Sequence, residues 1–334
     1  MEHLAFEKNL SDIAARHPKI ISFPESGDER VIKAAMNLLQ GGLVSAVLLS
    51  DPGTEQARTD LKNRFSKGDA DKMSFIQDHF QGLRDSLQNH VMKSFQTKGR
   101  VISKQDLEKK LSDPLWQSGW LLRQGVCDSV LAGIESTTSD VIRAALGTVG
   151  LAEGCRTVSG SFFMSRKESV MLFADCGVVI KPDAQQLADI ASQSVSTWRK
   201  LVGDQVDPVV GFLSFSSKGS ASHFEASKMS EACRMFQSAH PDILADGELQ
   251  FDAAYLKDVG EKKLPGSQIP GKTNIFIFPD LNSGNIGYKI AQRLGGFCAY
   301  GPILQGTSKV YSDLSRGASV DDIVVSSLIN NLRS

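Results

Sequence analysis

The sequence predicts an α/β protein with mostly parallel sheets, divided into two domains. Three observations carry that prediction. Short apolar runs alternate with stretches of helical spacing, the pattern of βαβ units. The 334 residues exceed the usual span of one hydrophobic core. The texture also changes to glycine and polar residues around Gly150 to Thr157, the first candidate boundary.

After an amphipathic opening helix, Lys19 to Ser26 (KIISFPES) reads as a buried strand ending in a turn. Val31, Ile32, Ala35, Met36, Leu38 and Leu39 then form an apolar stripe at helical spacing, with Asp28 as N-cap and Gly41–Gly42 as the stop. Val44 to Ser50 is the next strand, Thr54 to Phe65 a helix, and Met73 to Gln77 a short strand. Phe80 to Gln124 is helical, with a capping pattern at Ser103 and Asp106 and a core-facing pair, Trp116 and Trp120. Cys127 to Gly133 is a strand, and Thr137 with Asp140 caps a helix carrying Arg143 one turn inside. The loop puts hydroxyls and free amides of Ser136 and Thr137 where βα loops bind ligands. A plain capped helix with a surface arginine fits the same spacing.

The following block reads as a second α/β unit. Thr157 to Met164 and Ser169 to Ile180 are strands, Asp183 caps a helix from Ala184 to Leu201, and Asp207 to Ser216 is a buried strand. It runs into SSKGSAS, where Ser216, Lys218 and small residues suit an anion, or an ordinary surface loop. A helix spans Phe224 to Ala239, Asp246 and Gly247 mark a turn, and Asp252 is either a cap or a functional carboxylate. Leu264 to Gly271 is linker-like. The run IFIF then breaks at Pro279 and Asp280 into a polar loop and a helix, so that Ser216, Asn282, Asn285 and Lys289 fall near one strand-end rim. Finally, Gly301 to Asp322 reads as a buried strand, a loop with Ser315, Arg316 and Gly317, and a helix start at Ser319. A helix N-terminus beside an arginine and a hydroxyl has the parts of a phosphate site, while Ser319 with Asp322 is equally a capping box.

The composition is that of a soluble globular protein, 41% hydrophobic and 22% charged, without an apolar run long enough for a membrane helix. The N-terminus carries no signal or transit pattern, which points to the cytoplasm. A net charge of −1 gives no global field for nucleic acid. The five cysteines are widely spaced without a CxxC pair, and the six histidines are scattered, so neither a disulfide framework nor a metal site is expected. Neither GxGxxG with an acidic ribose contact, Walker A nor GxSxG is present. The residues alone lead to a binder of a small anionic metabolite.

Seven segments carry more than their local pattern. FPESGDERVIKAA, IESTTSDVIRAAL, FADCGVVIKPDAQQLADIA, LSFSSKGSA, PDILADGELQFDAA, FPDLNSGNIGYKIAQRLGG and GPILQGTSKVYSDLSRGASVDD occur in this order across nearly the whole chain. Together they resemble the phosphate acetyltransferase (phosphotransacetylase) family. The resemblance implies reversible acetyl transfer between acetyl phosphate and coenzyme A, with CoA, acetyl phosphate and phosphate as substrates and no tightly bound cofactor. It implies two three-layer α/β/α domains of isocitrate/isopropylmalate-dehydrogenase-like type, the second inserted in the first, with the active site in their cleft. The expected boundaries are 1–152 with 301–334, and 153–300, the latter joining a homodimer.

By the same resemblance, Asp322 matches the aspartate proposed to deprotonate the CoA thiol. Ser315 and Arg316 match the serine and arginine of the SRG segment, Arg143 an active-site arginine, and Arg30 an arginine associated with CoA. A thiol of ordinary pKa near 8.5 is mostly protonated at neutral pH, so a carboxylate base raises the thiolate fraction during attack. Arg316, Arg143 and Ser315 are the types that grip phosphate and offset developing oxyanion charge. By the resemblance, the chain departs from the family in HVMKSFQTKGRV, where Phe95 takes the place of an expected arginine and Lys93, Lys98 and Arg100 are the candidate substitutes, at Lys309 to Ser312, and in VSAVLLSDP. These departures bear on CoA affinity and acyl preference. The rival expectations are a phosphate butyryltransferase-like enzyme and a catalytically weak acetyl-CoA-binding regulatory module.

Overall fold

The computed structural model describes residues 5–167, 169–203 and 206–334. Its chain forms two compact units, Glu7–Ala152 with Thr307–Ser334, and Met1–Phe6 with Glu153–Gly306. The described strands are, in order, β1 (Ile20–Phe23), β2 (Ala46–Leu49), β3 (Met73–Phe75), β4 (Ser129–Ala132), β5 (Ser159–Arg166), β6 (Ser169–Ala174), β7 (Val209–Leu213), β8 (Leu244–Leu249), β9 (Ile275–Ile277), β10 (Cys298–Gln305) and β11 (Val310–Asp313).

The discontinuous unit holds a wholly parallel sheet in the order β11-β4-β1-β2-β3. Helices Glu29–Gln40 and Val320–Arg333 pack together on one face, and helices Ile76–Phe80, Pro114–Gln124 and Thr138–Thr148 cover the other. Both faces are thus buried, which is why the strands read as continuous apolar runs rather than alternating ones. Helix Glu29–Gln40 shows the local logic. Asp28 accepts the amide of Arg30, Val31, Ile32, Ala34, Ala35, Leu38 and Leu39 face the core, and Gly41 closes the end. Trp116 and Trp120 are buried, as their spacing predicts.

The inserted unit has a six-stranded sheet in the order β10-β5-β6-β9-β7-β8. Strands β6, β9, β7 and β8 are parallel, but β10 and β6 pair antiparallel with β5. The antiparallel part departs from the parallel expectation. Arg166 pairs with Ser169, and so short a connection cannot carry the crossover that parallel strands need. Helices Ala184–Val202 and Phe224–Ala239 line one face. The other is filled by a core including Phe162, Phe173, Phe276, Phe278 and Tyr288, to which helices Phe251–Tyr255 and Leu281–Arg293 contribute. Each unit therefore has the three-layer α/β/α form expected.

Three readings of the sequence change. The segment expected to return to the first unit at Gly301 belongs to β10, bonded to β5 as far as Gln305, so the compact units divide after Gly306. Beyond it lies an additional strand, β11, at the edge of the other sheet. Asp246 and Gly247 form no turn. They lie inside β8, where a Cβ at Gly247 would stand 2.6 Å from the Cβ of Phe212, so close packing rather than chain reversal requires the glycine.

Candidate active site

In the discontinuous unit, β11, β4 and β1 run side by side in one direction, so the loops after their carboxyl ends share one rim. Such rims are where parallel sheets bind ligands. Six of the expected residues lie on the loops and helix starts there: Arg30 after β1, Ser136 and Thr137 after β4, and Ser315, Arg316 and Asp322 after β11. Arg143 sits one turn into the helix that Thr137 caps.

The amides expected to be free at the end of β4 are taken. Glu25, buried at 7% exposure, accepts the amides of Gly133 at 2.6 Å and Ile134 at 2.8 Å through Oε2, and that of Ser136 at 2.7 Å through Oε1. An internal carboxylate therefore fills the cradle that an external anion would use, and it fixes the loop bearing Ser136 and Thr137. Thr137 Oγ1 in turn donates to Asp140 at 2.7 Å, and its oxygen accepts the amide of Asp140. Asp313, at the end of β11, accepts Thr138 Oγ1 at 2.7 Å. Burial pushes the Asp313 carboxyl up to about 6, against the downward pull of that hydrogen bond, and nearby Glu25 adds to the rise.

The Ser315–Asp322 segment carries its polar side chains in the open. Ser315, Arg316 and Asp322 are exposed. Ser319 and Asp322 form a complete capping box: Asp322 Oδ2 accepts from Ser319 N at 2.9 Å and Oγ at 2.8 Å, and Asp322 N donates back to Ser319 Oγ at 3.1 Å. The cap engages one carboxylate oxygen. Among the described residues Oδ1 takes no hydrogen bond, so one carboxylate can hold the helix and still face solvent. Among the described residues Ser315 Oγ accepts only the weak amide contact of Gly317 at 3.3 Å. Arg30 is bound to the same loop. Its Nη1 donates to the carbonyls of Arg316 at 2.9 Å and Ala318 at 2.8 Å, while Nε and Nη2 grip Asp28.

Arg143 pairs with Asp140 at 2.5 Å with 60% of its side chain exposed. Exposed pairs of this kind contribute about 0–1 kcal/mol, so Arg143 is easily redirected to a ligand. It lines a pocket of about 370 Å³ with Phe95, Lys109, Lys110 and Trp116 among its walls. Lys110 lies over the Trp116 ring at 4.0 Å, and burial, with the Arg143 charge, lowers its pKa. Phe95 supplies apolar wall here, and the cationic groups come from Lys109, Lys110 and Arg143.

In the inserted unit, Ser216 and Lys218 follow β7, and Asn282, Asn285 and Lys289 lie on the helix after β9. Strands β7 and β9 are parallel neighbours, so the two loops share a rim. Ser216 is fully buried, donates to Glu248 at 2.9 Å, and accepts the amide of Ala221 at 3.1 Å. Lys218, with a left-handed φ of 50°, is paired with Asp246. The loop is thus anchored by carboxylates, unlike an open phosphate cradle. Asn282 is exposed, whereas Asn285 donates to the carbonyl of Cys176 at 3.2 Å. Lys289 lies roughly 12 Å farther along the helix than Leu281, at 1.5 Å per residue, and so leaves the rim that holds Asn282. It stacks over the Tyr288 ring at 5.0 Å.

Sequence reasoning missed Glu25, Asp313 and the Asp28 side of the arginine clamp as parts of this rim. The partners of Glu25 and Asp313 are remote in sequence, whereas Asp28 grips Arg30 two positions on, and the sign available was an acidic residue at or just past the carboxyl end of each of β1 and β11. Among the described residues no group of three or more His, Cys, Asp or Glu is placed to hold a metal ion.

Comparison with known proteins gives a consistent result over nearly the whole length. The family model described as phosphate acetyl/butaryl transferase matches residues 5–330. A phosphate acetyltransferase from Bacillus subtilis (strain 168) is 38% identical over 318 residues, covering 95% of each chain. The crystal structure of a phosphotransacetylase from Streptococcus pyogenes superimposes with a TM-score of 0.87 at 34% identity, covering 99% of this chain and 98% of that one. A 4-hydroxythreonine-4-phosphate dehydrogenase from Klebsiella pneumoniae, at a TM-score of 0.54 and 11% identity over 95% of this chain and 100% of that one, shares the fold alone, in keeping with the dehydrogenase-like architecture. The strand-end rim with its Ser-Arg-Gly loop and capped aspartate therefore stands in a chain that belongs to the phosphate acetyl/butaryl transferase family.

Proposed function

We propose that this protein is a phosphate acetyltransferase, an acyltransferase that interconverts acetyl-CoA and phosphate with CoA and acetyl phosphate. The observation that carries the reading is the Ser315–Asp322 segment: a hydroxyl, a guanidinium and a carboxylate exposed together on one loop and helix start, in a chain 38% identical to a phosphate acetyltransferase. In the direction of acetyl-CoA synthesis, Asp322 takes the CoA thiol proton. The thiolate sulfur attacks the carbonyl carbon of acetyl phosphate, and the C–O bond to phosphate breaks as the tetrahedral intermediate collapses. Arg316 and Arg143 hold the phosphate, and Ser315 donates to the oxyanion. No acyl-enzyme is required, because holding two substrates in register removes much of the entropic barrier.

Asp322 lies in the first turn of helix Val320–Arg333. Its free Oδ1 is the oxygen we assign to the thiol proton, with Oδ2 kept for the cap. Ser136, Thr137, Ser216, Lys218, Asn282 and Asn285 are assigned to substrate binding, those of the inserted unit through exchange of their present partners, whereas Lys289 lies too far along its helix to join them. CoA acts as substrate, with no tightly bound cofactor. We place the enzyme in the cytoplasm as a homodimer. Ile286, Ile290 and Leu294, exposed at 57%, 54% and 85%, recur every fourth residue along one side of the inserted unit's helix and its end, which supports a self-associating face. No described helix is long and apolar enough to cross a membrane.

The test is phosphate- or arsenate-dependent loss of acetyl-CoA by the purified protein, with butyryl-CoA in parallel. Turnover of acetyl-CoA well above butyryl-CoA is expected. Acetyl-CoA binding without turnover would replace this reading with that of a regulatory module, and a preference for butyryl-CoA with a butyryltransferase.

A further inference from the structure

Arg30 is committed to the protein itself to an extent that its partly exposed position does not require. Four of its five N–H donors are used: Nε to Asp28 Oδ1 at 3.0 Å, Nη2 to Asp28 Oδ2 at 2.7 Å, and Nη1 to the carbonyls of Arg316 at 2.9 Å and Ala318 at 2.8 Å. Asp28 is held in turn, because it caps helix Glu29–Gln40 by accepting the amide of Arg30 at 2.8 Å. The bidentate pair fixes the plane of the guanidinium, so its remaining edge meets the two carbonyls in one orientation.

The loop that receives this clamp has little else to order it. Between Ser315 and Ser319 it closes on itself through Ala318 N to Ser315 O at 2.9 Å and the long contact of Gly317 N to Ser315 Oγ at 3.3 Å. Arg30 bonds the carbonyls at both ends of the Arg316–Ala318 stretch, directly between the hydroxyl of Ser315 and the cap at Ser319.

We propose that Arg30, aligned by Asp28, is a positioning residue for the catalytic loop, acting through the carbonyls of Arg316 and Ala318 rather than by contact with CoA. The proposal rests on the acetyltransferase reading for its kinetic consequence, but the clamp itself does not. A CoA phosphate could reach only the one remaining Nη2 hydrogen of Arg30 with the clamp intact, and a bidentate grip would have to release Asp28 or the two carbonyls, loosening the loop when Ser315 and Arg316 must be in place. Asp28 discriminates the two roles, since it aligns the clamp yet, as a carboxylate, would repel a phosphate.

The test uses Arg30→Lys and Asp28→Asn in the full chain, with three readouts: steady-state kinetics in CoA, equilibrium CoA binding by calorimetry, and hydrogen exchange of residues 314–319. Misplacement of a catalytic loop by about 1 Å costs on the order of 100-fold in rate. Both variants are expected to lower kcat by about 10- to 100-fold, to leave CoA affinity within about threefold, and to speed exchange of the loop. A raised KM for CoA with kcat retained in Arg30→Lys, and an unaffected Asp28→Asn, would assign Arg30 to the substrate instead. Unchanged exchange in both variants also overturns the proposal, whatever the kinetics. Should the wild-type protein fail to turn over acetyl-CoA while both variants still loosen the loop, the clamp stands and the acetyltransferase reading falls.

Discussion

Glu25→Gln is the most informative single change outside the reacting groups. Glu25 accepts three loop amides, at 2.6, 2.8 and 2.7 Å, while buried. A glutamine placed with its oxygen toward Gly133 and Ile134 keeps those two bonds as neutral ones and turns an NH₂ donor against the amide of Ser136. A hydrogen bond to a charged group contributes about 1.5–3 kcal/mol against about 0.5–1.5 for a neutral one, and an unsatisfied buried donor costs about 1–3 kcal/mol. Two weakened bonds and one opposed donor give a loss of about 2–4 kcal/mol, since Ser136 is partly open to water. For a unit of this size each kcal/mol moves Tm by about 2–4 °C, so the transition should fall by about 4–16 °C. Differential scanning calorimetry measures this, with loss of turnover below the transition reporting the loop that holds Ser136 and Thr137. A shift under about 1 °C would mean that the three amides find other partners, and the reasoning that an internal anion occupies this cradle would fail.

Three further changes separate the remaining roles, and a fourth tests the packing of the inserted unit. Ser319→Ala removes half of the capping box and should cost about 0.5–2 kcal/mol of stability with modest loss of turnover. Asp322→Asn keeps an acceptor for the cap but should lower kcat by about 100- to 10,000-fold; equal kinetic effects of the two would make Asp322 a cap only. Asp313 has a folded-state pKa of about 6, raised above the ordinary 3.8, so the folded protein disfavours its ionised form. The penalty is absent below pH 4, grows as the unfolded state alone ionises, and is complete above pH 6. Asp313→Asn should therefore stabilise at pH 8 by up to about 3 kcal/mol, taking about 1.4 kcal/mol for each tenfold change in proton affinity, and give no gain at pH 3.5; urea unfolding at the two pH values decides. Gly284→Ala would place a Cβ 2.2 Å from the carbonyl oxygen of Asp175, and it should destabilise the inserted unit by about 1–3 kcal/mol. Expression with an unchanged melting curve would contradict that packing.

The parts of this molecule readable in the sequence are those set by near neighbours. Asp28, Thr137, Asp183 and Ser319 each cap the helix that their spacing predicts, because a cap needs only the next three residues. The antiparallel pairing of β5 was not legible, since its buried run, SGSFFMS, looks the same whichever way its neighbours lie. Strand β11 escaped for the opposite reason. Its four residues, VYSD, include a serine and an aspartate, and their burial comes from β4 and from Asn330, which accepts the Ser312 hydroxyl at 2.6 Å. At the candidate site, Ser315, Arg316, Asp322 and Arg143 are assigned roles by resemblance, whereas Glu25 reaches amides more than a hundred positions away and leaves no trace in local spacing.

Placing β11 and helix Val320–Arg333 after the insertion also orders the events of biosynthesis. As the nascent chain leaves the ribosome, β1 to β4 emerge first, yet β4 lacks its β11 neighbour and the helix Glu29–Gln40 lacks its packing partner. The stretch from Glu153 to Gly306 is continuous and contains all the strands of its own sheet. It can therefore consolidate while the earlier half waits with an open sheet edge, the form most prone to aberrant pairing. A ribosome that stalls before Thr307 leaves a product with a bare β4 edge and none of Ser315, Arg316 or Asp322. Translation must run past β11 before that edge is covered, so incomplete chains expose an unpaired strand of the kind that chaperones and proteases meet.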